Sequence, residues 1–244
     1  VTGSGLYGPV IGSNSVSGST ISGTHYGQIL GSNVVAVANF RDAWKVMVDM
    51  FVPLGLPEIT LGGGLGVAYT SSDVAPTMSE WASVLKEATT GLPQGTHVFV
   101  EPGRSIVATA AVTVYSVGTV KNIDGIRTYI AVDGGMSDNA RTVLYDAEYT
   151  AVIAQRASSA PLALTRLVGK HCETGDIIIN EIQLPSDIAP GDLVATPATG
   201  AYGRSMASNY NHVPRPPVIA VRNGAAKVIV RRESYEDLLR LDLI

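Results

Sequence analysis

The single cysteine of the 244-residue chain, Cys172, lies in the polar run HCETGD at residues 171–176. Cysteine side chains are usually buried, but the Thr-Gly-Asp sequence that follows this one favours an exposed turn. A thiol beside a carboxylate can deliver a proton or act as a thiolate. These residues alone leave two interpretations open, a positioned proton donor and an ordinary surface thiol.

A glycine run, GGGLG at residues 62–66, follows a short apolar segment at residues 58–61 that predicts a buried strand. Without side chains, successive backbone N–H groups can converge on an anion such as phosphate. The run lacks the Gly-Lys-Ser/Thr of a Walker A loop and the spacing of the dinucleotide fingerprint. The alternative is a tight turn at a crowded barrel rim.

The sequence EPGR at residues 101–104 ends a second predicted strand, residues 97–100. Proline fixes φ and glycine permits an unusual φ, so the two charged side chains can be aimed in set directions. Catalytic groups gather at this end of a barrel strand. The alternative is a surface ion pair of little energetic value.

Arg141 and Tyr145 are four residues apart and follow the loop at residues 133–139. On a helix they would share a face and jointly hold a carboxylate. The alternative is a loop-to-helix transition in which Asp138 or Asn139 is the N-cap.

Two further aromatic residues lie in glycine-rich surroundings. Tyr202 belongs to the Gly/Ser-rich segment 199–211, where it either supplies a phenol to a cofactor or only packs a loop. His25 either stacks on a ring or is structural. His97 and His212 are read as structural, and no His, Cys, Asp and Glu cluster has metal-ligand spacing.

The elements that must position these groups fall into two architectures. Helical apolar spacing at residues 39–50 and 78–90, with the two short strands, is the βαβ pattern of a parallel sheet or barrel. After residue 105 the chain is rich in β-branched residues and predicts an antiparallel all-β region with a closing helix at 233–239. Its predicted strands are residues 107–121, 126–132, 151–154, 162–168, 176–182, 192–195, 218–222 and 226–230.

Composition narrows the class of protein. Hydrophobic residues make up 45% and charged residues 16%, as in globular chains, and a net charge of −4 without a Lys/Arg cluster argues against nucleic acid. No apolar run approaches the roughly 20 residues of a membrane span, and no signal peptide is visible. With one cysteine, these features predict a cytoplasmic protein. The chain starts at Val1, which favours a fragment or a processed product.

Taken together, these motifs resemble the diaminopimelate decarboxylases, pyridoxal-phosphate enzymes of the alanine-racemase-like class (fold type III). The resemblance runs from about Gly23 to the C-terminus. It implies a fold of class α/β plus β, with a partial (β/α)8 cofactor-binding barrel at residues 25–105. A C-terminal antiparallel β-domain, a Greek-key-like sandwich or barrel, would follow at 106–244. Residues 1–24 are an atypical Gly/Ser-rich segment.

The resemblance also implies roles toward the cofactor, pyridoxal 5′-phosphate. The glycine run would bind the phosphate, Glu101 would pair with the pyridinium nitrogen, and Tyr202 would touch both cofactor and substrate. Arg104 would bind the substrate near the phosphate. The complete set of implied cofactor ligands is His25, Gly62, Gly63, Gly64, Glu101, Pro102, Gly103, Arg104 and Tyr202.

The remaining implied roles concern meso-diaminopimelate, which the family converts to L-lysine. Arg141 and Tyr145 would bind the substrate, Glu173 its distal amino group, and Cys172 would be the proton donor. The family's Cys-Glu-Ser-Gly-Asp signature is matched with Thr174 in place of serine. Since that loop normally enters the partner subunit's site, the resemblance implies a homodimer with shared active sites.

These roles agree with elementary chemistry. Loss of CO2 leaves a carbanion, which a protonated pyridine ring absorbs, and a nearby carboxylate keeps that ring protonated. The carbon must then be reprotonated by a positioned acid, a task that a thiol suits.

The chain departs from the family at two places. The family's Schiff-base lysine lies upstream of the glycine run, and none of the five lysines here matches that context: Lys45, Lys86, Lys121, Lys170 and Lys227. The His25 motif is one residue short. Two alternatives therefore stay beside the main hypothesis: a decarboxylase of another basic amino acid, and a non-catalytic remnant that binds the cofactor or dimerises.

Overall fold

The computed structural model describes residues 37–243, and the chain divides into two units between Ala111 and Val112. The atypical segment 1–24 and His25 lie outside the described residues. The first unit contains α1 (Val37–Phe51), β1 (Glu58–Gly63), α2 (Met78–Ala88), β2 (His97–Glu101) and α3 (Gly103–Val107).

The two long helices cover β1 with aromatic side chains. Phe40, Trp44 and Trp81 form a buried cluster with ring centroids 5.2 to 6.2 Å apart. The indole N–H of Trp44 also donates to the Leu61 carbonyl at 2.8 Å, which ties α1 to β1. A capping box between Thr77 and Glu80 begins α2. Both helices lie where helical periodicity predicted them.

β1 and β2 pair in parallel, with α2 between them in sequence. This confirms the predicted βαβ pattern locally. The described residues of this unit contain one two-stranded sheet, and the (β/α)8 barrel stays a prediction.

The second unit contains a six-stranded sheet in the order β5-β8-β3-β4-β6-β7 and a separate hairpin, β9-β10. Its strands and helices are β3 (Val112–Ile123), β4 (Arg127–Val132), α4 (Arg141–Tyr145), β5 (Val152–Ile153), β6 (Leu162–Val168), β7 (Ile177–Pro185), β8 (Leu193–Pro197), α5 (Gly203–Met206), β9 (Val218–Arg222), β10 (Ala225–Val230) and α6 (Tyr235–Leu239). Strands β4, β6, β7 and β8 each contribute a fully buried side chain to the core: Ile130, Leu167, Ile178 and Val194.

The prediction of a purely antiparallel sheet is wrong, because β4 and β6 pair in parallel. The physical reason is the length of chain between them, which carries α4 and β5 before β6 begins. A parallel return needs a connection of a dozen or more residues, and this one is long enough. The sheet is therefore mixed.

The predicted strand at residues 107–121 begins too early. α3 and a 3₁₀ turn at Ala108–Ala110 occupy its first residues, and β3 starts only at Val112. The cause is Pro102, whose fixed φ of −77° at the N-cap of α3 ends β2 and begins a helix. Among residues 37–243 no helix combines the length and apolarity that a membrane crossing requires.

Candidate functional site

In the first unit, the glycine run and the EPGR sequence lie at the carboxyl ends of neighbouring strands. Gly63 of β1 is the register partner of Glu101 of β2, after a register shift that follows Thr60. The Glu101 side chain is exposed. The structure therefore brings together two of the segments that the sequence singled out.

The backbone favours glycine at three successive positions of the run, Gly62, Gly63 and Gly64. Gly62 and Gly64 adopt positive φ angles of 74° and 90°, which favour glycine over other residues. A side chain at Gly63 would overlap the Glu101 carbonyl. Between these two glycines, Gly63 is the last residue of strand β1. Because three successive residues lack side chains, a phosphate group could approach the backbone N–H groups of this segment closely.

Arg104 is 5% exposed and lies in the first turn of α3. Gly103 has open space beside its Cα and no positive φ. The expectation that this glycine aims the charged side chains through an unusual φ is therefore wrong. The change from strand to helix at Pro102 separates Glu101 from Arg104 instead.

In the second unit, Arg141 lies between two tyrosines. Its guanidinium donates to the Tyr149 hydroxyl at 2.5 Å, and its Cζ lies 5.6 Å from the Tyr149 ring centroid and 5.9 Å from that of Tyr202. Both distances are within cation–π range. Two predicted substrate or cofactor ligands, Arg141 and Tyr202, are thus brought together.

Tyr145 does not share this environment. α4 forms as predicted, but Arg141 is 3% exposed while Tyr145 is 60% exposed. Tyr149 takes the place beside Arg141, and sequence reasoning missed it. Asp146 adopts a left-handed φ of 51° that ends α4 and turns the chain back, so no helical spacing signals Tyr149.

Tyr202 holds an unusual backbone conformation, with φ at 68°. A left-handed aromatic residue is an outlier that persists only when its surroundings fix it. Its carbonyl accepts the Met206 N–H at 2.8 Å, and its ring is 42% exposed.

Cys172 and Glu173 are both exposed, as the turn-forming sequence predicted. The Tyr210 hydroxyl donates to Oε1 of Glu173, and its ring centroid lies 5.4 Å from that of His171. This contact raises the pKa of Tyr210, first because Glu173 accepts a hydrogen bond from the protonated phenol and then through partial desolvation. Tyr210 was not among the predicted site residues.

The buried Asp176 carboxylate closes the turn. Its two oxygens accept the Met136 N–H at 2.6 Å and the His171 N–H at 2.7 Å. Cβ atoms at Gly135 and Gly169 would both collide with this carboxylate. Asp176 thus binds the Cys172 turn to the loop that leads into Arg141.

Two further contacts join the same segments. The buried His171 ring lies 2.9 Å from the Ser137 hydroxyl, measured from Nε2 to Oγ, and the Ser137 carbonyl accepts the Ser208 N–H at 2.8 Å. The loop 133–139, the turn 171–176 and the segment 199–211 therefore form one connected group.

Neither Asp138 nor Asn139 is the N-cap of α4, which is Ala140. Asp138 instead accepts the Gly135 N–H at 2.7 Å. Burial raises the pKa of Asp138, and burial followed by the Asp138 charge raises the pKa of the neighbouring Tyr115. Among residues 37–243, no group of three or more His, Cys, Asp or Glu side chains is placed to hold a metal ion.

The chain is similar to a family model and to several known proteins. The model described as "Pyridoxal-dependent decarboxylase, C-terminal sheet domain" matches residues 21–200. A diaminopimelate decarboxylase of Mycobacterium tuberculosis is 49% identical over 198 residues, which cover 77% of this chain and 44% of the relative. The chain thus spans about half the length of the curated relatives it matches.

Solved structures agree with these matches. Diaminopimelate decarboxylase from Helicobacter pylori, complexed with L-lysine, gives a TM-score of 0.76 at 31% identity, over 87% of this chain and 52% of that one. A lysine/ornithine decarboxylase from Vibrio vulnificus, complexed with cadaverine, gives 0.65 at 27% identity, over 76% and 51%.

Proposed function

Since the family model covers most of its length, this chain belongs to the pyridoxal-dependent decarboxylases, and we propose that it forms the C-terminal part of an enzyme that converts meso-diaminopimelate to L-lysine. The observation that carries the proposal is the register that pairs Gly63 with Glu101. It supports the proposal because a backbone without side chains and a carboxylate at adjacent strand ends would suit the phosphate and the pyridine nitrogen of one cofactor.

The residues of the first unit would hold pyridoxal phosphate. When bound, this cofactor supplies an electron sink for the carbanion that forms as CO2 leaves. Backbone N–H groups of Gly62, Gly63 and Gly64 would hold its phosphate, and the Glu101 carboxylate would favour the protonated ring nitrogen. Arg104 would bind the substrate near that phosphate. His25, outside the described residues, would stack on the ring.

The residues of the second unit would hold the substrate. Arg141 has the correct charge for the distal carboxylate, and Glu173 for the distal ammonium. Cys172 would deliver a proton to the carbon that has lost CO2. Tyr202 would contact both the cofactor and the substrate. Tyr145 would contribute a further contact to the substrate. In a homodimer, the Cys172 turn would serve the partner subunit's site.

A decarboxylase of another basic amino acid is the second candidate, favoured by the similarity to the Vibrio vulnificus enzyme. Lysine and ornithine lack a second amino-acid head, so they do not need an anion and a cation at the distal end. The pair Glu173 and Arg141 therefore supports diaminopimelate as the substrate.

The test is a chimera in which the N-terminal half of the Mycobacterium tuberculosis relative precedes α1 of this chain. With pyridoxal phosphate it is expected to release CO2 from meso-diaminopimelate far faster than from ornithine, arginine or lysine. The 244-residue chain alone is expected to be inactive, since none of its lysines lies in the family's context.

In the chimera, Cys172→Ala is expected to lower kcat by about 10²- to 10⁴-fold, the usual contribution of a general acid. Thr174→Ser, which restores the family's signature, is the control and is expected to keep the parent rate. A folded, cofactor-bound chimera without activity on meso-diaminopimelate would contradict the proposal.

A further inference from the structure

Tyr210 lies in direct contact with Glu173, the residue proposed to bind the distal ammonium of the substrate. Its hydroxyl donates to Oε1 of Glu173, which leaves Oε2 able to accept from a second donor. We propose that Tyr210 is a positioning residue, which orients the Glu173 carboxylate toward that ammonium and so contributes to substrate specificity. This inference rests on the proposed function.

The backbone next to Tyr210 is held by contacts that do not involve Glu173. The Ser208 N–H donates to the Ser137 carbonyl at 2.8 Å, and the Asn209 amide donates to Glu233 at 2.6 Å and to the Val213 carbonyl at 3.1 Å. These bonds fix the backbone on both sides of the tyrosine.

The ring of Tyr210 is fixed as well. It lies against the His171 ring, which is itself held by Ser137 through its side chain and by Asp176 through its backbone N–H. Asn211, directly after the tyrosine, adopts a left-handed φ of 53° that asparagine tolerates. These contacts to the ring and the neighbouring backbone restrict the positions that the hydroxyl can take.

Glu173 is exposed at the tip of the turn, where a glutamate side chain without a fixed partner has several rotamers. A fixed phenol selects one of them. The groups that face Tyr210 are Glu173, Cys172 and the His171 ring. The contact with Glu173 raises the pKa of Tyr210, which favours the protonated phenol that donates this hydrogen bond.

The chemistry of the reaction selects the probe. Loss of CO2 from the D-centre leaves a CH2–NH3⁺ group at that end, so the α-amino-carboxylate of L-lysine is the distal head that Glu173 and Arg141 would bind. The analogue 6-aminohexanoate keeps the carboxylate and the ε-ammonium but lacks the α-ammonium. A comparison of the two ligands therefore isolates the contact to Glu173.

The experiment uses the full 244-residue chain with ¹³Cζ-labelled tyrosine, and the Tyr210 resonance is assigned by its loss in Tyr210→Phe. We expect L-lysine to shift this resonance saturably and 6-aminohexanoate not to shift it. In Glu173→Gln the response to L-lysine is expected to disappear. The exposed Tyr235 serves as the control resonance and is expected to stay unmoved.

Calorimetry on the same proteins gives the affinity. Tyr210→Phe keeps the ring on His171 and is expected to weaken L-lysine binding about 3- to 10-fold, the range of one hydrogen bond. In the Glu173→Gln background it should add no further loss, because two residues that act through one contact are not additive. Tyr235→Phe, the matched control, should leave binding unchanged.

Three results would overturn the inference: no response of Tyr210 to either ligand, an equal response to both, or additive losses in the double variant. The proposed function fails separately. If the chimera releases no CO2 while the chain still distinguishes L-lysine from 6-aminohexanoate through Tyr210, the positioning role stands and the reaction does not. If the chimera is active but the losses in the double variant are additive, the proposed reaction stands and the positioning role of Tyr210 does not.

Discussion

A buried carboxylate that accepts two backbone N–H groups from separate loops, as Asp176 does from Met136 and His171, fixes both loops at once. Gly135 and Gly169 pack against it so closely that a Cβ atom at either position would overlap the carboxylate. The last residue of the run HCETGD thus determines the position of Cys172 and Glu173, although it was not a predicted site residue. Since the turn is exposed, this anchor replaces the packing that a buried site would have.

This arrangement predicts the effect of one methyl group. Gly169→Ala is expected to lower the free energy of unfolding by about 1–3 kcal/mol, the cost of overpacking, because its Cβ would overlap the Asp176 carboxylate. Urea denaturation measures the change.

Gly175 provides the matched control within the same turn, since a Cβ there meets nothing within 4 Å and its φ is not positive. Gly175→Ala is expected to stay within about 0.5 kcal/mol of the parent. Equal effects at the two glycines would show that the Asp176 contact does not constrain the turn.

Residue types and local spacing signalled some members of the candidate site and not others. Cys172, Glu173 and Arg141 stand in short runs with recognisable chemistry. Tyr149 and Tyr210 reach Arg141 and Glu173 only after left-handed turns or across 37 residues of sequence. Long-range contacts of this kind have no local pattern, so a single sequence does not signal them.

At the scale of elements, β1 and β2 approach so closely at Gly63 that the Glu101 carbonyl occupies the space of a side chain. Two residues before Gly63, the Leu61 carbonyl accepts a hydrogen bond from the Trp44 indole of α1. The position of the glycine run therefore depends on α1 and on β2 as well as on its own residues.

Gly63→Ala is expected to force β1 away from β2 and to lower the free energy of unfolding by about 1–3 kcal/mol or more. Fluorescence of the buried Trp44 and Trp81 in a urea titration reports the change. Gly91→Ala is the control in the same unit, because its nearest atom, a methyl group of Val48, lies at an ordinary 3.9 Å. If Gly91→Ala lowered the free energy of unfolding more than Gly63→Ala, the close approach of β1 and β2 would not be the reason for a glycine at position 63.

Elements with strong periodicity were predictable, and their pairing was not. α1, α2 and most strands lie within a few residues of their predicted bounds. The parallel pairing of β4 with β6 depends on where a long connection returns, which strand composition does not encode. The helical turn at residues 103–110 has no strong local signal, because its β-branched residues favour a strand while the preceding Pro102 favours the start of a helix.

At the scale of the whole molecule, the change from βαβ pattern to β-rich chain predicted two architectures, and the chain divides into two units after Ala111. Most carboxyl groups with lowered pKa values belong to the second unit: Asp187, Asp192, Glu233, Glu236 and Asp237. A carboxyl group whose pKa is lower in the folded state stabilises the fold above its unfolded pKa, and this stabilisation is lost as pH falls through the folded value. Acid is therefore expected to weaken the second unit.

Glu233 is the group on which this expectation can be tested. The Arg215 backbone N–H, at 2.8 Å, lowers the pKa of Glu233 to about 2, with further help from the Asn209 amide and the Arg215 guanidinium. At pH 7, Glu233→Gln is expected to lower the free energy of unfolding by about 1–3 kcal/mol, since charged hydrogen bonds are lost. The difference from the parent should narrow as pH falls from 4.5 toward 2, because the parent carboxylate becomes protonated. Urea titrations across this pH range measure the difference in free energy of unfolding.

Glu148→Gln removes the same charge from an exposed residue of the same unit, and its difference from the parent is expected to be small at every pH. A Glu233→Gln difference that stays constant with pH would mean that the ionised carboxylate is not what joins the Tyr210 segment to the C-terminal strands.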